Sequence, residues 1–227
     1  MTTSKSCLLL HGFTGGPEEV EPLAVYLRSL GWHTEQPVLP GHDGPLCKLE
    51  GVRYEAWLQA AYEAAVRMRS SSETFVVAGF SMGGMLAAYT AARVPVDKLV
   101  LLNAALIYVS PMRFIRALTG KLLHKREEMA PFGKMGQVPL SAVREFMRLV
   151  RYCKPMLGEV RAPALIIQGE QDPIVHPLSA RYLARKLPGA VGLERFPRSR
   201  HMICWDVEAS EVMEKVGVFL EEGGCRC

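Results

Sequence analysis

Residues 79–83 read Gly-Phe-Ser-Met-Gly and place a serine where it could act as a nucleophile. An apolar run at 74–78 precedes this motif, and a segment with helical character at 85–92 follows it. A serine at a tight turn between a strand and a helix forms a nucleophile elbow, which lifts the hydroxyl out of the sheet. The flanking glycines are needed because the serine backbone is strained and bulky neighbours would collide with the strand and helix. The alternative interpretation is a glycine-rich turn that packs tightly and does no chemistry.

A serine hydroxyl is a poor nucleophile until a neighbouring imidazole accepts its proton. Three histidines follow Ser81 in the chain. His124 lies in a cationic stretch of a predicted insertion, and His176 lies only four residues from Asp172, on the same loop. His201, in a loop between the last predicted strand and the last predicted helix, is therefore the candidate base. A surface histidine is the alternative for this position.

The candidate acid follows from a similar elimination among four aspartates. Asp43 precedes the serine, Asp97 precedes a strand and so belongs to the opposite edge of the sheet, and Asp206 suits the N-cap of the last helix. Asp172 remains, with Glu170 as the runner-up. Asp172 would hold the histidine tautomer and stabilise the imidazolium, although it could instead only cap a helix.

Backbone amides near Ser81 could stabilise a tetrahedral oxyanion. The amide of Met82 follows the serine directly, and the glycine-rich turn at 11–16 offers the amide of Phe13 as a second donor. Each of these groups follows a strand, and ligands of open α/β sheets bind beyond the carboxyl ends of the strands. The order serine, acid, histidine is the one expected for a nucleophile elbow on such a sheet.

Strand-like and helix-like segments alternate along the chain, which predicts a mostly parallel sheet of about six strands with helices on both faces. Strands are predicted over 6–10, 33–38, 74–78, 98–102, 164–168 and 192–196. Helices are predicted over 18–30, 54–70, 82–93, 177–187 and 207–220.

The stretch 104–162 is too long for a simple connection and shows no strand pattern. It contains helical patterns at 112–123 and 142–152, separated by a glycine- and proline-containing stretch at 131–139. We predict a small helical cap at 104–162 and a core formed by 1–103 and 163–227. Apolar residues of the cap would either line an acyl pocket with Phe13 and Met82 or pack the cap on the core; these candidates are Phe114, Leu118, Phe146 and Met147.

Composition and charge set limits on the partners of the chain. Apolar residues make up 49% of the 227 residues, which leaves ample material for a core, and a net charge of +4 gives no case for a nucleic-acid partner. No stretch approaches the ~20 apolar residues of a membrane span, so stable membrane insertion is not expected. Between 113 and 126 there are five basic residues and no acidic one, which suits either a solvated helix face or an anionic lipid surface.

The cysteines and the N-terminus bear on the compartment. The six cysteines are scattered and do not have the spacing of a zinc site, so we expect them to be reduced thiols. The histidines and aspartates do not have the spacing of metal ligands either, and we expect no metal and no cofactor. Cys225 and Cys227 suit a frayed tail, with metal binding or oxidation as the alternatives. A strand pattern begins within a few residues of Met1, which leaves no room for a signal peptide and predicts a cytoplasmic protein. The oligomeric state is not indicated.

The motifs together resemble those of the α/β-hydrolase superfamily, and within it those of small bacterial carboxylesterases and monoacylglycerol lipases. They are His-Gly-Phe-Thr-Gly at 11–15, Pro-Gly-His at 40–42, Gly-Phe-Ser-Met-Gly-Gly at 79–84, Gln-Gly-x-x-Asp-x-x-Val at 168–175 and Ser-Arg-His at 199–201. The resemblance implies an α/β-hydrolase fold, with a sheet smaller than the family's eight strands. It implies Ser81, Asp172 and His201 as the catalytic triad and Phe13 and Met82 as the oxyanion donors.

The leading hypothesis is therefore a cofactor-free serine hydrolase that cleaves short- to medium-chain carboxylic esters or monoacylglycerols, a carboxylesterase or lipase. One alternative is the same triad acting on an amide, a thioester or a carbon–carbon bond, since one scaffold hosts many reactions. A binding protein without catalytic activity is the other alternative.

Overall fold

The computed structural model describes residues 4–107 and 138–221, and six parallel strands form one sheet within them. The strands are β1 (Lys5–Leu10), β2 (His33–Glu35), β3 (Thr74–Phe80), β4 (Lys98–Leu102), β5 (Ala164–Gly169) and β6 (Ala190–Phe196). Their order across the sheet is β2-β1-β3-β4-β5-β6. The predicted α/β architecture with about six parallel strands is confirmed.

Six α-helices lie within the described residues. They are α1 (Glu21–Ser29), α2 (Tyr54–Ser70), α3 (Met82–Ala91), α4 (Leu140–Met156), α5 (Leu178–Lys186) and α6 (Ala209–Glu221). No helix in these parts of the chain is long and apolar enough to cross a membrane. The helix predicted at 112–123 lies outside the described residues.

Alternate residues of the central strands point to two separate apolar layers, one on each face of the sheet. In β1, Leu8 and Leu10 join one layer, whereas Cys7 and Leu9 join the other. The residues of β3, β4 and β5 divide in the same way, which explains why these strands are almost continuously apolar. Helices α2, α3, α4 and α5 cover the first layer, and α1 and α6 cover the second.

The strand order reverses between β1 and β3, and this reversal sets the location of the site. The connection from β1 to β2 runs through α1 on one face, whereas the connection from β2 to β3 runs through α2 on the opposite face. A crevice is therefore left at the carboxyl ends of β1 and β3, where ligands bind in folds of this kind. The loop after β1 and the turn after β3 both lie at that crevice.

Two predicted elements differ from the observed ones. The predicted strand 33–38 ends at Glu35, because it pairs with β1 only through His33, Thr34 and Glu35 and is followed closely by Pro37, which has no amide hydrogen to donate. The predicted helix 18–30 begins with a short 3-10 helix, Pro17–Glu19, and continues as α1 only from Glu21.

Helix α4 begins and ends close to the helical pattern expected at 142–152. Its buried face consists of Ala142, Val143, Phe146, Leu149, Val150 and Cys153. This face packs mainly on α3 and also on α2, so the segment joins the core layer on that face of the sheet.

Two glycines of the elbow bring three pieces of backbone into contact. A Cβ atom on Gly83 would meet the carbonyl groups of Leu10 and His11, and one on Gly79 would meet the backbone of Gly83 and Gly84. The contacts are with backbone atoms, which cannot rotate away as a side chain can. The end of β1, the end of β3 and the start of α3 can therefore approach one another only because these residues lack side chains.

We expect Gly83→Ala to destabilise the protein by at least about 3 kcal/mol, because the added methyl group would force the end of β1 away from α3. Gly158→Ala is the matched control, since a Cβ atom there meets nothing within 4 Å. Urea unfolding of both variants measures the difference. Equal stability of the two variants would contradict the close packing described for the elbow.

Candidate active site

Ser81 lies at the turn between β3 and α3 in a backbone conformation that few residues adopt. Its φ is 53° and its ψ is −116°, in a region that is costly for a residue with a side chain. Backbone hydrogen bonds hold it there: Ser81 N–H donates to Leu102 O at 2.9 Å, and Ala105 N–H donates to Ser81 O at 3.0 Å. The surrounding fold therefore stabilises the strained turn that the sequence motif predicted.

The imidazole of His201 bridges the other two candidate residues. Its Nε2 lies 3.2 Å from Ser81 Oγ, and its Nδ1 lies 2.7 Å from Asp172 Oδ2. All three side chains are buried, although they come from the ends of three different strands. The carboxylate accepts a hydrogen bond from Nδ1–H, so Nε2 directs its lone pair towards the serine hydroxyl.

The Asp172 carboxylate is fixed at both oxygens. While Oδ2 faces His201, Oδ1 accepts the amide hydrogens of Ile174 at 2.8 Å and Val175 at 2.9 Å. The loop thus wraps its own backbone around the carboxylate, which cannot rotate without losing these bonds. The runner-up acid, Glu170, is exposed and pairs with Arg195 on the surface.

The amides of Phe13 and Met82 lie on the two segments that meet at Ser81. Met82 is the first residue of α3, and the amides of a first helical turn have no acceptor within the helix. In the described parts of the chain, Phe13 N–H has no backbone acceptor either. Both groups can therefore donate to a ligand, and the positive end of the α3 dipole favours a negative charge there.

Two histidines, His11 (buried) and His42 (partly buried), hold the loop that carries Phe13, and the sequence reasoning did not assign them to the site. Nδ1–H of His11 donates to Gly12 O at 2.8 Å, and its Nε2 accepts Leu39 N–H at 3.1 Å. His42 Nε2 lies 2.7 Å from Phe13 O and donates to it. Burial lowers the pKa of His11 to about 3, with a further decrease from the nearby His42, so this ring is neutral and can act as donor and acceptor at once.

An aromatic cluster packs against the same loop. The Phe13 ring stacks on that of Phe146 from α4, with centroids 4.7 Å apart and planes 15° apart. Trp57 meets the Phe13 ring edge-on at 5.7 Å, and its indole N–H donates to Pro40 O at 2.9 Å. Phe146 is almost fully buried, so its ring contributes packing at this point.

Phe114 and Leu118, which were predicted to line the acyl pocket or to pack the cap on the core, lie outside the described residues. So do His124, Cys225 and Cys227.

Asn103 joins the acid loop to the histidine loop, and the sequence reasoning missed it. Its Nδ2 donates to the carbonyl oxygens of Arg200 at 2.9 Å and His201 at 2.8 Å, and its Oδ1 accepts Gly169 N–H at 2.7 Å. Asn103 is buried and has a positive φ of 44°, which asparagine tolerates better than most residues. A polar residue directly after an apolar strand was the available signal.

Further contacts support the histidine loop from the other side. The buried carboxylate of Glu208 accepts hydrogen bonds from Ser199 Oγ at 2.6 Å and from Arg198 N–H at 3.0 Å. A Cβ atom on Gly169 would meet the carbonyl oxygens of Ser199 and Arg200, so glycine there lets the acid loop and the histidine loop approach. The orientation of the imidazole thus depends on contacts far apart in sequence.

Among the described residues, no group of three or more His, Cys, Asp or Glu side chains is arranged to hold a metal ion. Most cysteines described are buried, and burial raises the pKa of the Cys153 and Cys204 thiols to about 12. These thiols are therefore protonated and poor nucleophiles at neutral pH.

Known proteins with similar sequences and structures are ester-cleaving enzymes by name. The chain is 26% identical over 220 residues to a thermostable monoacylglycerol lipase of Bacillus sp. (strain H-257), covering 92% of this chain and 87% of the relative. It is 25% identical to a carboxylesterase of Bacillus subtilis (strain 168), covering 96% and 93%. A solved structure from work on the metagenome-derived lipolytic enzymes LipS and LipT superposes with a TM-score of 0.82 at 22% identity, covering 96% and 94%.

The match to the family itself extends over most of the chain. The sequence profile of the Alpha/beta hydrolase family matches residues 7–215, which include β2 to β6 in full, most of β1 and each of the loops described above. The parallel sheet, the strained serine turn and the extent of this match together establish that the chain belongs to the alpha/beta hydrolase family.

Proposed function

We propose that this protein is a serine hydrolase that cleaves carboxylic esters through an acyl-enzyme formed on Ser81. The observation that carries the proposal is the bridging imidazole of His201, 3.2 Å from Ser81 Oγ and 2.7 Å from Asp172 Oδ2. Relatives named as a monoacylglycerol lipase and a carboxylesterase support ester hydrolysis as the reaction class.

In the proposed first step, Ser81 Oγ attacks the carbonyl carbon of the ester while its proton passes to His201 Nε2. Asp172 keeps the proton on Nδ1 and stabilises the imidazolium that forms. The carbonyl oxygen becomes an oxyanion, which accepts hydrogen bonds from the amides of Phe13 and Met82. Collapse of this intermediate breaks the bond to the alcohol, and His201 returns its proton to the departing oxygen.

Water completes the cycle in the proposed second step. It attacks the acyl carbon of the ester on Ser81 while His201 accepts one of its protons. The second tetrahedral intermediate collapses, the carboxylic acid leaves, and the proton on Nε2 returns to Ser81 Oγ. The same two amides stabilise both intermediates, because each develops its charge at the same oxygen.

We also propose that residues 104–162 form a cap over the crevice and help to bind the acyl group. Helix α4 belongs to this segment, and its Phe146 ring stacks on that of Phe13 beside the candidate oxyanion donor. The apolar surroundings of the candidate oxyanion donor suit the acyl chain of a short- to medium-chain ester or a monoacylglycerol better than a polar substituent.

Replacing the nucleophile is the direct test. We expect Ser81→Ala to abolish hydrolysis of p-nitrophenyl esters, measured from acetate to palmitate, because the proposed acyl-enzyme forms on Ser81 Oγ. The chain length with the highest kcat/KM would measure the size of the acyl site. Labelling by a fluorophosphonate probe, followed by mass spectrometry of the modified peptide, should place the adduct on Ser81 in the wild type only.

Three results would redirect or end this proposal. Labelling of Ser81 without hydrolysis of any ester would mean that the triad acts on another bond, such as an amide, a thioester or a carbon–carbon bond. Wild-type activity in Ser81→Ala would exclude the serine mechanism. A wild-type protein that is neither labelled nor active would favour the alternative of a binding protein without catalytic activity.

The contacts of Asn103 generate a second prediction. We expect Asn103→Asp to lower kcat/KM by about 10- to 100-fold, because the carboxylate can still accept Gly169 N–H but cannot donate to the carbonyl groups of Arg200 and His201. The histidine loop would then lose its fixed position. Steady-state kinetics on the best p-nitrophenyl ester measures the effect.

Gln59→Ala is the matched control for this variant. Gln59 is exposed on α2, and its side-chain amide donates a hydrogen bond to Glu63 Oε1 on the same helix. We expect kcat/KM within about twofold of wild type, since no bond to the histidine loop is lost. A folded Asn103→Asp protein with the same activity as this control would refute the role assigned to Asn103.

A further inference from the structure

The carboxylate of Glu19 folds back onto the loop that carries the Phe13 amide. Glu19 ends the short 3-10 helix Pro17–Glu19, and its Oε2 accepts Gly12 N–H at 2.7 Å. The neighbouring Glu21 behaves as an ordinary surface carboxylate and pairs with Arg28 at 2.5 Å. Glu19, by contrast, directs its charge at the backbone of the loop next to Ser81.

Two glycines make room for this carboxylate. A Cβ atom on Gly12 would lie 2.9 Å from Glu19 Oε2, and one on Gly15 would overlap the same carboxyl group. The glycines of the His-Gly-Phe-Thr-Gly motif thus allow the loop to close around a partly buried acidic group. Neither glycine has a positive φ, so the space they leave for Glu19 is the physical reason for them here.

The surroundings of Glu19 make its charge costly. Burial raises the pKa of the carboxyl group from 4.5 to about 7, although the Gly12 N–H and the charge that His201 can carry both lower it. Glu18 raises it slightly, and the buried Cys204 thiol is the other titratable group that senses Glu19. A carboxyl group in such surroundings is a candidate for a role that a surface glutamate would not serve.

The Gly12 residue lies between two peptide groups, and each is held by a different side chain. Glu19 holds the amide hydrogen of the first peptide group, and His11 Nδ1–H holds the carbonyl oxygen of the second. The second peptide group also carries Phe13 N–H, which points away from its carbonyl oxygen in a trans peptide. Glycine resists rotation between these groups very little, so both must be fixed if Phe13 N–H is to keep one direction.

We infer that Glu19 is a positioning residue for the candidate oxyanion donor: by holding Gly12 N–H, it fixes the direction in which Phe13 N–H meets the substrate. The inference rests on the proposed function, since it takes Phe13 N–H as an oxyanion donor. Glu19 itself does not touch the reacting atoms.

The test compares kcat and KM for p-nitrophenyl ester hydrolysis with the rate at which a fluorophosphonate labels Ser81. We expect Glu19→Ala to lower kcat and the labelling rate by about 10- to 100-fold, because one donor is misdirected, and to leave KM within about twofold. Glu19→Gln should recover most of the loss, since its side-chain oxygen can still accept Gly12 N–H. A residue that only stabilised the fold would not produce this pattern in kcat among folded variants.

Glu18→Ala is the matched control, because it removes the same charge from the adjacent, exposed position. We expect its kcat to equal that of the wild type. Where Glu19→Ala does not fold, Glu19→Asp replaces it: the shorter side chain keeps the charge but does not reach Gly12 N–H. The inference then requires a lower kcat and a lower labelling rate for Glu19→Asp than for Glu19→Gln, although only Glu19→Asp retains the carboxylate.

Thermal unfolding against pH gives a readout that does not depend on activity. Since folding raises the pKa of Glu19 from 4.5 to about 7, the folded protein binds a proton that the unfolded chain releases between these values. The contribution of Glu19 to the free energy of unfolding is therefore greatest at low pH and is lost as the pH rises through about 7. The melting temperature of the wild type relative to Glu19→Gln should fall from pH 5 to pH 8.

The possible failures are distinguishable. A folded Glu19→Ala or Glu19→Asp protein with wild-type kcat and labelling rate would overturn the inference while leaving the proposed function intact. A wild type that is labelled on Ser81 but hydrolyses no ester would overturn the ester assignment, and the labelling rates would still test Glu19. A melting-temperature difference that does not change with pH would contradict the raised pKa of the Glu19 carboxyl group.

Discussion

The close contact between backbone segments at the end of β3 is the constraint on which the site depends. Gly83 lies against the carbonyl groups of Leu10 and His11, and Gly79 lies against the first turn of α3. A side chain at either glycine would separate these segments. Because the contact exists, the loop after β1 and the serine turn after β3 lie together at the point where the strand order reverses.

Hydrogen bonds across loops turn this proximity into fixed geometry. Asn103 ties the loop of Asp172 to that of His201, and Glu208 holds the histidine loop from the far side. On the serine side, His11 and Glu19 hold the peptide groups on either side of Gly12. Each of these groups is buried or partly buried, where a hydrogen bond is stronger and its loss is more costly than on the surface.

The same arrangement explains why the site carries strain and buried charge. Ser81 keeps an unfavourable φ, and folding raises the pKa of Glu19 to about 7 by burial. Both cost stability, and the apolar layers on the two faces of the sheet offset that cost. Helix α4 extends one of these layers up to the Phe13 ring, so packing of the core and position of the site are linked.

Local patterns were sufficient to predict most of the strands and helices. Buried parallel strands are continuous apolar runs, and Tyr54–Ser70 and Lys98–Leu102 were predicted with the bounds observed. The edge strand β2 was predicted too long, because apolar character at Val38 cannot reveal that pairing stops at Glu35. The roles of Ser81, Asp172 and His201 and the boundaries of a cap remain predictions, although the three side chains do lie within hydrogen-bonding distance.

The sequence by itself determined the fold class and the candidate serine, acid and base. Both depend on features that can be read along the chain: the alternation of strands and helices, and the order in which the serine, the aspartate and the histidine occur. It did not indicate Asn103, His42 or Glu19 as parts of the site. Their roles depend on which backbone groups lie within about 3 Å of their side chains, and those groups belong to other loops or to a turn whose path only packing fixes. The tertiary structure alone decided these contacts, since hydrogen-bond partners distant in sequence leave no periodic pattern.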